Sequence, residues 1–319
     1  MLDPYRVPCL PWDAVSDGRN SRSLLRLAPF GGDELRSRIS TVIDSRALYS
    51  AYLSINSAVV PTRVQDALLK LGRRCFRSKS VLIASMPRSG STHLTLSVAG
   101  IPGWRSRTAV PSYGRREYEL EAEQIRRDWI GAKSNVVFGH HVRCSEHTLA
   151  IAKYYQLDIV VLVRNVKDIC RSFSDFLDAG HLTWPYAVLD EATLLHIDRS
   201  GMRPSFIAST VLPWLFNFYV GWKQHEQAGG RVLFLRYEDL VDDSVGSLVR
   251  LMDYIGCSVD EQTIGEAVAS VSSTPRQGNM NVGVVGRGDG YFLEEPIADA
   301  LIEVFSSSYP SIDFSPICS

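Results

Sequence analysis

The run Val81-Leu82-Ile83-Ala84-Ser85-Met86-Pro87-Arg88-Ser89-Gly90-Ser91-Thr92-His93-Leu94 passes from an apolar segment through a sharp turn into a helical one. Val81 to Ala84 is short, continuous in apolar residues and bounded by polar ones, the pattern of a strand buried on both faces. A helical stretch follows from about Thr92 to Ala99. Between them, Gly90 permits a tight turn and close approach of an anion to the backbone. Ser89, Ser91 and Thr92 offer hydroxyls, the new helix offers N–H groups at its positive end, and Arg88 adds a permanent cation. Together they form a cradle for a phosphate-like group, the plain alternative being a Ser/Thr-capped helix beside an incidental arginine. The loop is not a Walker A motif, because Ser91 follows Gly90 where a lysine belongs and Ser85 stands where the first glycine belongs.

Further strands are expected at Asn135–Gly139, at Asp158–Val163 with its Ile-Val-Val-Leu-Val core, and at Arg231–Leu235. Apolar strands separated by helical segments imply an α/β fold with a central parallel sheet flanked by helices, running from about residue 78 to 319. Residues 1–30 are rich in Pro, Arg, Ser and Gly without a clear period, and 33–76 read as helical, so 1–77 is expected to be an N-terminal helical extension of the same single domain. Phe206 to Trp222 is the most membrane-like stretch. Ser209, Thr210, Pro213 and Asn217 interrupt it, and Trp214, Phe218 and Trp222 recur every four residues, which makes it a core helix. Arg115 to Trp129 reads as a charged, solvated helix with a Glu123–Arg127 pair.

The 319 residues hold 34 Lys plus Arg and 35 Asp plus Glu, a formal net charge of −1 that gives no global case for nucleic acid or an anionic membrane as partner. At 45% hydrophobic and 22% charged, the chain is neither disordered nor collagenous. Cys9, Cys75, Cys144, Cys170, Cys257 and Cys318 are scattered without finger spacing and are expected to be reduced thiols. The N-terminus has no basic segment leading into an apolar run, so a cytoplasmic protein without a membrane span is expected.

At the end of the third expected strand comes Arg164-Asn165-Val166-Lys167-Asp168-Ile169-Cys170-Arg171-Ser172. A cation at a strand's carboxyl end faces the side where open α/β sheets bind ligands, and Ser172 lies about two helical turns on. Arg164 and Ser172 could thus meet one oxyanion, or the stretch could be no more than a surface Arg–Asp pair. Two anion cradles on one sheet suggest a nucleotide with phosphates at two positions.

This pair of motifs resembles the sulfotransferases that use 3′-phosphoadenosine 5′-phosphosulfate (PAPS), whose P-loop-like fold the chain is then expected to share. In that family a Pro-(Lys/Arg)-hydroxyl-Gly-hydroxyl-hydroxyl loop holds the 5′-phosphosulfate, matched here by Pro87 to Thr92. A second element holds the 3′-phosphate, matched by Arg164, Asn165, Asp168 and Ser172, with Val166 in place of its usual proline. Tyr237-Glu238-Asp239-Leu240 resembles an element whose tyrosine lies against the adenine. Gly283-Val284-Val285-Gly286 matches a segment that closes over the 3′-phosphate. Asn281 and Val282 stand where its basic pair would be, so Arg287 with Gly288, or Arg276, would supply the charge.

The resemblance implies sulfuryl transfer from PAPS, without metal, releasing 3′-phosphoadenosine 5′-phosphate (PAP). It implies a histidine general base after the second strand of the site. Gly139-His140-His141-Val142 aligns the base on His141, and a strand lets only one of the two histidines enter the site. Arg88 takes the position of the cation that stabilises charge on the departing phosphate. His93 stands where the cytosolic phenol and steroid group has a tryptophan on the adenine. His181, Trp184 and Tyr186 fall where acceptor-binding residues occur, while His147, His196 and His225 have no evident partner. The expected acceptor is a hydroxyl, or an amine, of a small molecule. A glycan or lipid-linked sugar, an atypical P-loop kinase, and a non-catalytic nucleotide sensor are the alternatives. The oligomeric state is open.

Overall fold

The computed structural model describes residues 78–110, 118–128, 134–180, 190–273, 284–292 and 296–318, with only the backbone at 127 and 128. All lie in the second of the chain's two units, Pro61–Ser319. The proposed N-terminal extension, the region of His181, Trp184 and Tyr186, and residues 276, 281 and 282 lie outside them.

The described strands are β1 (Ser80–Ser85), β2 (Trp104–Arg107), β3 (Asn135–His140), β4 (Asp158–Val163) and β5 (Val232–Arg236). They form one parallel sheet in the order β2-β3-β1-β4-β5. The described helices are α1 (Ser91–Gly100), α2 (Ala122–Asp128), α3 (Glu146–Tyr155), α4 (Val166–Asp178), α5 (Glu191–Arg199), α6 (Arg203–Gln227), α7 (Tyr237–Asp242), α8 (Ser244–Tyr254), α9 (Glu261–Ser273), α10 (Gly288–Tyr291), α11 (Ile297–Ser308) and α12 (Ser315–Cys318). Every residue of β1 is buried, as a central strand covered on both faces requires. From β1 the chain crosses to the edge strand β2, returns to β3 beside β1, and then passes to β4 and β5 on the other side of β1, so the crevice at the carboxyl ends of β1 and β4 is the topological switch point where open sheets take ligands.

Val81 and Ile83 pack into one apolar layer with Leu94 and Val98 of α1, Leu248 and Leu251 of α8, and Ile264 of α9. Leu82 alternates to the other face and is equally buried. Beyond that face lies α6, whose Trp214, Phe218 and Trp222 are buried. Trp222 Nε1 donates to the Val142 carbonyl at 3.2 Å. The membrane-like stretch is therefore a core helix, and no described helix is long and apolar enough to cross a membrane. At Gly139 a side chain is excluded: an added Cβ would stand 2.0 Å from Thr95 Oγ1, so α1 crosses β3 where β3 has no side chain.

Two expectations need correction. β2 (Trp104-Arg105-Ser106-Arg107) was not foreseen because among the described strands it pairs with β3 alone, and an edge strand needs no apolar run. Arg115 to Trp129 is not one helix. Tyr118 makes a parallel bridge to Val142, and α2 starts only at Ala122. There the Glu121 carboxylate accepts the N–H groups of Glu123 (3.2 Å) and Gln124 (2.8 Å). Glu123 pairs with Arg126, and the buried Leu120 and Ile125 show that this segment is not simply a solvated face.

Candidate active site

The register Ala84↔His140 and Ser85↔Leu162 sets the carboxyl ends of β1, β3 and β4 at one edge, and Val163↔Arg236 adds the end of β5. The loop after β1 is built from its own polar groups. Met86 N–H donates to the Leu162 carbonyl (3.0 Å), and Ser89 Oγ, fully buried, donates to the Met86 carbonyl (2.6 Å). Arg88 has φ +60° and Gly90 has φ +81°, both in the left-handed region. At Gly90 a Cβ would stand 2.9 Å from the Tyr237 ring, so only glycine lets that ring lie across the loop. α1 then begins at Ser91 with no side-chain cap, and its first intrahelical bond is Leu94 N–H to the Gly90 carbonyl at 3.1 Å. The preceding N–H groups have no carbonyl below them in the helix. Ser91 is partly exposed and Thr92 exposed, so of the three hydroxyls proposed for the cradle, Ser89 is turned inward and two stand at the surface.

The elements after β1 and β4 meet directly. Arg164, 2% exposed, donates from Nη1 to the Arg88 carbonyl at 2.7 Å and lies 4.1 Å from the Tyr237 ring centroid. Its Nη2 is 3.7 Å from Asp168 Oδ2, and its Nε is buried without a hydrogen-bond partner among the described residues. Arg88 Nε donates to Ser172 Oγ (2.9 Å), and its guanidinium stands 5.0 Å from the Phe176 ring centroid. Arg164 and Ser172, expected side by side on one oxyanion, thus each hold a different part of Arg88. Burial lowers the pKa of both arginines, and the neighbouring Arg164 charge lowers that of Arg88 further; both stay cationic. Asn165 caps α4 by accepting from Lys167 and Asp168 N–H (2.9 and 3.1 Å), and its own N–H donates to Glu238 Oε1 at 2.9 Å.

The two histidines have separate surroundings. His140 is 8% exposed, and its Nε2 accepts the Ala109 N–H at 3.0 Å, which requires the unprotonated nitrogen. Burial, with a smaller contribution from His141, lowers its pKa to about 4. His141 sits next to Ser85: its Nδ1 is 2.9 Å from the Ser85 carbonyl and 3.2 Å from Ser85 Oγ. A carbonyl only accepts, so Nδ1 carries the proton and Nε2 the basic lone pair. Burial lowers the His141 pKa, the Ser85 bond raises it, and the Arg88 charge lowers it. The imidazole is neutral near pH 7 and lies within electrostatic reach of Arg88. His147 bonds the Leu120 carbonyl and His225 stands edge-on to Trp222.

The C-terminal segment meets the same place. Asp168, 2% exposed, accepts Gly286 N–H at Oδ2 (2.9 Å) and Gly288 N–H at Oδ1 (2.7 Å). Arg287, between them, pairs with Asp175 Oδ2 (2.9 Å), whose Oδ1 holds Arg171 (3.0 Å). Sequence reading missed Ser85, Phe176 and Asp175, and assigned Asp168 to a motif without a task. Only Asp168 carried a signal, as the acid three residues after a helix-capping asparagine.

A family model described as "Sulfotransferase domain" matches residues 147–282, which takes in Arg164, Ser172 and Tyr237 but not Arg88 or His141. The curated "Cytosolic sulfotransferase 3" of Arabidopsis thaliana is 25% identical over 223 residues, 65% of this chain. The match spans 64% of that relative, under two thirds of its length. A crystal structure of a mouse sulfotransferase complexed with PAP superposes with a TM-score of 0.51 at 20% identity, covering 72% of this chain and 84% of that one, a likeness of fold. Residues 147–282 thus match a sulfotransferase domain, and the parallel sheet is that of the sulfotransferase fold.

Proposed function

We propose that this chain transfers a sulfuryl group from PAPS to a hydroxyl of a small-molecule acceptor, with His141 as general base and Arg88 stabilising the departing phosphate. The observation that carries the reading is the juxtaposition at the sheet's carboxyl edge: an imidazole whose Nδ1 proton is held by Ser85, coupled electrostatically to a partly buried guanidinium. The acceptor's hydroxyl proton passes to His141 Nε2 as its oxygen bonds to sulfur. The bond from sulfur to the bridging oxygen breaks, and its electron pair stays on the phosphate, where Arg88 offsets the new charge. The products are a sulfate ester and PAP.

The residues fit a doubly phosphorylated nucleotide. The uncapped first turn of α1 with Ser91 and Thr92 beside Arg88 suits the 5′ end. Arg164, whose buried Nε has no hydrogen-bond partner among the described residues, Ser172, Arg287 and Gly288 are the groups assigned to the 3′-phosphate, and Tyr237 to the border of the adenine. The relative's name places that protein in the cytosol, which supports a cytoplasmic setting for this one.

Calorimetric titration without metal tests the reading. PAP should bind more tightly than ADP by about tenfold or more, roughly 1.4 kcal/mol. Equal affinities, or binding only with Mg²⁺, would overturn it in favour of a kinase.

A further inference from the structure

We infer that Asp168 is a positioning residue, whose buried carboxylate fastens the Gly286–Gly288 backbone to the head of α4 and so delivers Arg287 to a site for a second anionic group of the nucleotide. The inference rests on the proposed nucleotide chemistry for the identity of that group, and on geometry alone for the clamp.

Both carboxylate oxygens are used, one on each glycine N–H, at 2.9 and 2.7 Å. A carboxylate accepts at both oxygens and donates from neither, so it can give each of two N–H groups an oxygen of its own. The backbone is pressed flat against α4: at Gly288 a Cβ would stand 2.2 Å from the Lys167 carbonyl carbon and 2.4 Å from the Asp168 nitrogen. Those are backbone atoms of a helix start and cannot move aside cheaply. Gly286 has φ +81°, the left-handed turn that brings both N–H groups round to one carboxylate. Lys167 adds ion pairs to Asp289 (3.6 Å) and Asp299 (2.9 Å) at the outer rim.

The clamp fixes the residue between its two anchors. Arg287 reaches Asp175, which also holds Arg171 and whose charge acts on Arg88. Tyr291 of the same segment lies 5.3 Å from the Arg171 guanidinium. Three arginines around one carboxylate leave two positive charges in surplus, on the face of α4 that carries Ser172. Such a surplus suits an anion that arrives with the ligand. Asp168 itself faces Arg164 and the two amides, so it acts on the anion through Arg287.

The test uses the full chain, free and with PAP or ADP, in Asp168→Asn, Gly288→Ala and Arg287→Ala. Asparagine keeps one acceptor and turns a donor toward the second N–H; Gly288→Ala breaks the clamp from the other side and leaves the Arg164–Asp168 pair intact. In the free protein, amide hydrogen exchange across 284–292 should quicken about tenfold or more in Asp168→Asn and Gly288→Ala, and stay at the wild-type rate in Arg287→Ala. All three should bind PAP about tenfold more weakly while ADP affinity moves less than about twofold. Unchanged exchange in Asp168→Asn, or an equal loss of both nucleotides, overturns the inference. Should Asp168→Asn fail to fold, Gly288→Ala carries the same outcomes. A wild-type protein that binds PAP and ADP equally removes the proposed function, and the exchange rates still decide whether the clamp exists.

Discussion

Acidification should cost this fold stability through His140, and the amount follows from its surroundings. The ring is buried, and its Nε2 accepts the Ala109 N–H, a bond that a protonated imidazole cannot make. Burial first, and His141 second, lower its pKa from 6.5 to about 4. In the unfolded chain the same ring titrates near its ordinary value of about 6.5. Between those limits the unfolded state binds a proton that the folded state refuses, so stability falls as the pH falls through the window and levels off below it. At about 1.36 kcal/mol per pH unit the full window is worth about 3 kcal/mol, a large share of the roughly 5–15 kcal/mol that holds a domain together. Urea unfolding read by tryptophan fluorescence from about pH 7.5 to about pH 4.5 measures it in the wild type and in His140→Gln. Glutamine offers Ala109 an acceptor that does not titrate. The variant should start less stable, and then lose about 2–3 kcal/mol less than the wild type across the range. Groups that titrate in both proteins cancel in the difference, so parallel curves would refute the account.

His141→Ala should lower kcat by about 10²–10⁴ while PAP binding, measured by calorimetry, stays within about twofold. Because burial and the Arg88 charge hold the His141 pKa down, the neutral base persists below the usual histidine range. The wild-type rate should therefore fall with acidity only below about pH 6.5, as pH–rate profiles will show. Ser172→Ala removes the acceptor of Arg88 Nε, a bond to a charged group worth about 1.5–3 kcal/mol, and should lower kcat/KM by roughly tenfold to a hundredfold, with Ser172→Thr restoring most of it. Arg88→Gly and Arg88→Ala both lose the guanidinium and should both be inactive, yet the glycine variant should be the more stable by about 1 kcal/mol in thermal melts, because φ is +60° at that position.

What was readable in the sequence is what local chemistry dictates. The apolar runs at 81–84 and 159–163 read as buried strands, and a parallel sheet follows from helices between them. The Pro87–Thr92 turn was legible because a glycine among hydroxyls between an apolar run and a helical one marks a strand–helix junction, whether it cradles an anion or only caps the helix. β2 was not, since an edge strand holding Arg105, Arg107 and one buried apolar residue, Trp104, has no apolar run. Nor was the division of labour between Arg164 and Ser172. Spacing along one helix set them near each other, but whether they face a ligand or Arg88 depends on a loop 76 and 84 residues away in the chain. Asp168 shows the same limit, since its partners lie 118 and 120 residues on. Sequence spacing reports neighbours on one element, whereas a site is assembled from the ends of several.

The conformation of Arg88 bears on why the site is built this way. A non-glycine residue at φ +60° is costly, and its guanidinium is partly buried beside a second, more deeply buried one. Stability alone would favour glycine at 88 and a neutral side chain at 164. The structure instead over-determines the strained residue: Arg164 holds its carbonyl, Ser172 its Nε, and Phe176 lies against its guanidinium plane. The surrounding fold thus keeps a cation fixed in place beside a like charge, which Asp168 and Asp175 offset in part and a bound anion would offset further. An anion that gains charge during the reaction offsets them more than one that does not. That difference between ground state and transition state is the part of binding energy that accelerates a reaction. On the proposed mechanism, Arg88 rather than the more numerous hydroxyls of the loop is then the residue on which transfer would depend.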